Sequence, residues 1–206
     1  MTGVLFASAD AAILFAERYT KGRLTAPREG SFQAGGSIVF GVTGLGKIKT
    51  TLRTEQLLAQ HPEVERVLHA GLCTSLHGTL DLGSIVQINR TVEGDRIEIV
   101  RPSYARMPVE TALDDEQYPK VTLITQDHAP STEEQAYWQR IGQVTDSSGY
   151  AVSYVAGRRG TPSYILRGIA GIAGQDDPNF IQTRTSVQSN LADAVLEALA
   201  TFEPKE

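Results

Sequence analysis

The 206 residues carry 24 Asp and Glu against 19 Lys and Arg, a net charge of −5, with 41% apolar and 21% charged residues. A chain of this length and composition buries a substantial core, which excludes disorder as its main state and favours one domain over residues 1–206. No basic run exceeds Arg158-Arg159, so generic nucleic-acid binding is excluded as well. The single Cys73 has no disulfide partner, and one thiol among four scattered histidines lacks the ligand count of a structural zinc site. Neither a metal nor a cofactor is expected. No apolar stretch approaches the ~18–20 residues of a membrane span, and Met1-Thr2-Gly3-Val4 lacks the positive start of a secretory signal, so a cytoplasmic protein is expected.

In chain order, Val4-Leu5-Phe6-Ala7 predicts a strand, and Ile13, Leu14 and Ala16 among polar residues predict a helix from Asp10 to Tyr19. Lys21 to Gly30 reads as a loop. Gly35-Gly36 reads as the turn of an antiparallel hairpin between Phe32-Gln33-Ala34 and Ser37 to Val42. Good helix formers from Lys47 to Gln60, stopped by His61-Pro62, predict the second helix. Val64 to Ala70 and Ser84 to Val92 are β-branched-rich strands, separated by a Gly/Ser/Thr loop from Gly71 to Gly83. Arg101 to Lys120, with three prolines and Asp114-Asp115-Glu116, reads as a long connection. Val121 to Thr125 is a further strand. Ser131-Thr132-Glu133-Glu134 has the form of a capping box ahead of a helix to Ile141. Ser148 to Arg159 reads as a helix and Ser163 to Ile169 as a strand; Val187, Leu191, Val195, Leu199 and Phe202 mark one face of a closing helix. The alternation favours a helix-sheet-helix sandwich with a mixed sheet.

Gly41 to Lys47 satisfies G-x-x-x-x-G-K, but Ile48 stands where a magnesium-binding hydroxyl is required, so a glycine-built strand-to-helix turn is the better reading. The same stretch, Val42-Thr43-Gly44-Leu45-Gly46-Lys47, is followed by Arg66-Val67-Leu68-His69-Ala70-Gly71 and by Thr79-Leu80-Asp81-Leu82-Gly83-Ser84-Ile85-Val86. Later come Asp146-Ser147-Ser148-Gly149-Tyr150-Ala151-Val152 and Arg167-Gly168-Ile169-Ala170-Gly171. In order and spacing these resemble the landmarks of nucleoside phosphorylase-type enzymes, among them methylthioadenosine/S-adenosylhomocysteine nucleosidase and futalosine hydrolase.

The resemblance implies a three-layer α/β domain with a mixed, partly closed sheet, a homo-oligomer (a dimer first), and a small nucleoside-like ligand. It implies cleavage of an N-glycosidic bond, in which an acid assists the leaving base, a carboxylate activates water and a glutamate holds the ribose. Carried over by residue, these three groups fall on Gly171, Ala12 and Ser148, none of which bears a carboxylate. Substitute acids are Asp127 and Asp146, with Asp10 close to Ala12; each serves equally as a turn or helix cap. The resemblance places Leu72, Cys73, Thr74, His128, Ser147, Ser148 and Gly171 around the ligand. From the residues alone, Cys73 reads as a buried small thiol, His69 as a core histidine, and Tyr137 and Trp138 as packing; Tyr104 or Tyr150 is available to stack on a base. Three readings stay open: a nucleosidase with relocated acids, a non-catalytic pseudoenzyme binding a nucleoside-like ligand or a partner subunit, and a scaffold repurposed for different chemistry.

Overall fold

Leu5 alternates with Val4 and Phe6 across a strand, so a short run that is apolar on both sides must be covered on both faces. A computed structural model describes residues 1–22, 25, 27–95, 109–112 and 117–202 and shows this arrangement. Strand β1 (Thr2–Phe6) lies parallel between β3 (Ile38–Val42) and β4 (Arg66–Ser75), and β2 (Phe32–Gly35) pairs antiparallel to β3 as the Gly35-Gly36 turn predicts. Val4 and Phe6 pack with α1 (Ala9–Thr20) and α5 (Phe180–Phe202). Leu5 packs on the opposite face with Leu57 and Leu58 of α2 (Lys47–Gln60) and with Val152 and Val155 of α4 (Gly149–Arg158). The three predicted layers are present.

The sheet is mixed and closes on itself over part of its width. β4 pairs parallel with β9 (Ser163–Ile172), which pairs antiparallel with β5 (Ile85–Glu93). β5 runs parallel with β7 (Lys120–Thr125), β7 parallel with β8 (Val144–Asp146), and β8 returns antiparallel to the end of β4. Cys73, Val86, Ile88, Val121, Leu123, Val144, Ile165 and Ile169, drawn from all five strands, form the cluster inside this ring. Beside it, Trp138 of α3 (Thr132–Trp138) packs on Leu76, Val92 and Ile124.

Several boundaries differ from expectation. The segment expected as a loop from Gly71 is strand as far as Ser75, because β9 and β8 supply backbone partners for residues whose own preferences are weak. β8 is three residues long, too short for a periodic signal. The predicted capping box is formed, Ser131 and Glu134 satisfying each other's backbone amides, but α3 stops at Trp138 rather than Ile141. Of the 101–120 connection, Val109–Glu110 form β6 on the edge of β5. Residues 101–108 and 113–116, with Tyr104 and the acidic triplet, lie outside the described residues.

Candidate functional site

Residues at or just beyond the carboxyl ends of β1, β3, β4, β7, β8 and β9 line a common crevice, although β7 and β8 run against the direction of β4 and β9. A two-lobed cleft lies there. One lobe, of about 450 Å³, is bounded by Gln126 to Pro130 after β7, by Gln135 of α3, and by Ala173 and Gly174 beyond β9. The other, of about 260 Å³, is bounded by Ala7 and Ser8 after β1, Leu45 of the glycine turn, Leu72 and Cys73 of β4, Ala170 and Gly171 of β9, and Phe180 and Arg184 of α5. Thr74, Thr145, Asp146 and Ser147 belong to both lobes.

Asp146 sits at the junction and is committed. Its Oδ2 accepts from Arg167 Nη2 at 2.7 Å and Nε at 3.0 Å, from the Gly149 amide at 2.8 Å and from Ser148 Oγ at 3.1 Å. Its Oδ1 accepts from Thr125 Oγ1 at 2.7 Å. Arg167 is fully buried and the Asp146 side chain is 2% exposed. The rest of the guanidinium fork donates to the carbonyls of His69 and Leu166 and to His69 Nδ1 at 3.0 Å. Burial, and then the adjacent guanidinium, hold His69 well below the usual histidine range, which fits a neutral ring accepting at Nδ1. Gly149 opens α4 because a Cβ there would collide with Leu123 and come within 2.9 Å of Arg167 Nη2.

Asp127 is exposed on the larger lobe, and its Oδ1 accepts the Lys47 amide at 2.8 Å, capping the start of α2. The glycine turn before it, with Gly44 at φ 77° and Gly46 at φ 93°, uses backbone angles that other residues rarely adopt. The Lys47 ammonium is spent on Glu93 Oε1 at 2.5 Å and on Asp95, so this turn is filled by carboxylates and not laid open for a phosphate. Burial opposes that charge, but the hydrogen bonds to Asp95 and Glu93 outweigh it and raise the lysine above its usual range.

His128 bridges two acids, Nδ1 to Asp95 Oδ1 at 3.0 Å and Nε2 to Glu134 Oε1 at 3.1 Å. Only the imidazolium donates from both nitrogens. The hydrogen bond to Glu134, with the charges of Glu134 and Asp95, raises its protonation range against a smaller effect of burial. Because the folded-state value is raised, the stability it supplies is complete below the ordinary histidine pKa and is lost as pH rises through the folded-state value. Thermal melts across that range are therefore expected to show a gap between wild type and His128→Gln that is widest in acid and narrows as pH rises; a gap independent of pH would contradict the bridge.

Of the other expected site residues, Leu72, Cys73, Thr74, Ser147 and Gly171 line the cleft, whereas Ser148 is buried behind it with its hydroxyl on Asp146. Burial pushes the Cys73 thiol up, Arg167 opposing only in part, so it stays a thiol. Ala12 is 0% exposed among Phe6, Phe15 and Val195 and does not line the cleft. The residues of that turn that do are Ala7 and Ser8. Asp10 lies outside both lobes, accepting from Gln188 Nε2 at 3.1 Å. Tyr150 stacks on Tyr154 and lines neither lobe. Sequence reasoning missed Gln135, Thr145, Phe180 and Arg184 as lining residues, and Leu45, which it read only as part of the glycine turn. Among the described residues no group of three or more His, Cys, Asp or Glu is arranged to hold a metal ion, and no helix is long and apolar enough to cross a membrane.

No curated protein matches the chain. Solved structures do. Arabidopsis thaliana 5'-methylthioadenosine nucleosidase in apo form superposes with a TM-score of 0.82 at 16% identity, over 100% of this chain and 96% of that one. A mutant of Helicobacter pylori MTAN with 5'-methylthioadenosine in its active site gives 0.77 at 18% identity, over 97% and 96%. Helicobacter pylori futalosine hydrolase gives 0.75 at 16% identity, over 97% of each chain. These likenesses show a shared nucleoside phosphorylase-like fold. The family model of the phosphorylase superfamily matches residues 3–200, nearly the whole chain, and the protein belongs to that superfamily.

Proposed function

We propose that the protein is a divergent nucleosidase-like member of its superfamily that binds a purine nucleoside, or a close analogue, in the two-lobed cleft without releasing the base by the family's route. The observation that carries this is the state of the acids. Gly171 offers no proton, Ala12 faces the core, and Asp146 is held on Oδ2 by Arg167, Gly149 and Ser148 and on Oδ1 by Thr125. A carboxylate pinned by four residues has no freedom to turn toward a leaving base. Nucleoside binding is supported by the cleft's place at the strand ends and by the nucleoside ligand of a structural neighbour.

The test is incubation with adenosine, inosine and 5'-methylthioadenosine, with chromatography for free base beside thermal-shift measurements. Shifts without base release are expected; free base formed catalytically would overturn the non-hydrolytic part. One observation favours a hydrolytic reading: Asp127 lines the larger lobe, and among the described residues only its Oδ1 accepts a hydrogen bond. On that reading base is released and Asp127→Asn abolishes the release.

A homodimer is part of the same proposal. Leu45, Ile48 and Leu52 lie exposed along one face of the α2 start, next to the exposed Phe180 and Ile181 of α5 across the smaller lobe. Light scattering is expected to report a dimer for the wild type and a monomer for Ile48→Glu combined with Leu52→Glu. An unchanged mass would remove this face as the interface.

A further inference from the structure

The smaller lobe carries two charged side chains on its wall, Asp146 and Arg184. The charge of Asp146 is cancelled within the protein by the buried Arg167, whose fork faces it at 2.7 and 3.0 Å. Arg184 has no comparable partner among the described residues. Its nearest acid is Asp10, with Nη2 to Oδ2 at 3.6 Å, beyond hydrogen-bond length, and that oxygen already accepts from Gln188. The two side chains are 42% and 59% exposed, so their attraction is screened, weak and easily exchanged for a better acceptor. The lobe therefore presents a guanidinium held only by a long, weak pair, among neutral donors, the hydroxyls of Ser8, Thr74 and Ser147. A planar fork of N–H donors suits anionic oxygens, which it grips in two parallel bonds, and gains little from a neutral hydroxyl or thioether.

We propose that Arg184 is a specificity residue that receives an anionic oxygen group, phosphate or carboxylate, on the ligand, so that the lobe selects an anionic nucleoside derivative over a neutral nucleoside. The identity of the remaining part of the ligand rests on the nucleoside reading above; the anion preference is separable from it.

Titration calorimetry with adenosine, adenosine 5'-monophosphate and ribose 5-phosphate tests both. Wild-type protein is expected to bind the monophosphate at least about tenfold more tightly than adenosine, the gain expected of one charge-assisted pair. Arg184→Gln abolishes that preference, Arg184→Lys keeps part of it, and Asp10→Asn, which removes the competing carboxylate, strengthens it. If adenosine binds and the monophosphate binds no better, or if Arg184→Gln keeps the preference, the anion proposal falls and the nucleoside reading stands. If the two phosphates bind through Arg184 and adenosine does not, the nucleoside reading falls and the anion site stands. Absence of binding by all three ligands overturns both.

Discussion

Asp146→Ala is expected to lower the melting temperature by roughly 10 °C, the largest stability loss among the cleft substitutions considered. The variant leaves the Arg167 guanidinium fully buried with no anion, and breaking a buried pair from one side costs about 3–5 kcal/mol. For a domain of this size each kcal/mol moves Tm by roughly 2–4 °C. The loss is compounded because Asp146 also caps the Gly149 amide at the start of α4 and ties down the Thr125 hydroxyl, which in turn accepts the Tyr150 amide. The double variant Asp146→Leu with Arg167→Met is expected to be more stable than either single change, since no orphaned charge remains. Differential scanning calorimetry on wild type, Asp146→Leu, Arg167→Met and the double variant closes the cycle, with Asp146→Ala measured beside it. A loss in Asp146→Ala of only a degree or two would mean that water or a shifted side chain solvates Arg167, and the rigid junction between the lobes would have to be abandoned.

Gly171→Asp is expected to raise base release from 5'-methylthioadenosine at least about 100-fold above the wild-type background, the lower range of what a positioned general acid contributes. The position admits the change. Gly171 lies on β9 at the smaller lobe, and a Cβ there meets only Thr74, at 3.7 and 3.9 Å, which is ordinary contact. It is absent from the positive-φ glycines, so the backbone suits a side chain. Gly171→Ala, which adds the Cβ without an acid, is expected to leave the rate at background. The contrast with Ala12 is instructive, because a carboxylate there would enter the apolar cluster around Phe15 and destabilise the fold instead of restoring chemistry. If a folded Gly171→Asp binds nucleoside yet releases no base, an acid at this position is insufficient, and the Ser8 side of the lobe lacks the group that activates water.

Local chemistry made much of the architecture legible. The apolar run at Val4, the Gly35-Gly36 hairpin, the helix from Lys47 to Gln60 and the Ser131 capping box are each specified by residues within a few positions of one another. Short-range rules reach that far. The landmarks around Gly44, Gly71 and Arg167 likewise pointed to the family, and six of the residues expected around the ligand, Leu72, Cys73, Thr74, His128, Ser147 and Gly171, together with the substitute acids Asp127 and Asp146, line the cleft.

What the sequence determined by itself was therefore the set of local elements and their order, because turn angles, capping and apolar periodicity act between near neighbours. Closure of the five-strand ring through β8, the pairing of Asp146 with Arg167, the inward aim of Ala12 and the arrival of Arg184 beside Ser8 were decided only by the tertiary structure. The physical reason is that burial and Coulomb energy depend on distance in space. A three-residue strand or a lone arginine has no character of its own until distant segments surround it with partners, or leave it without one.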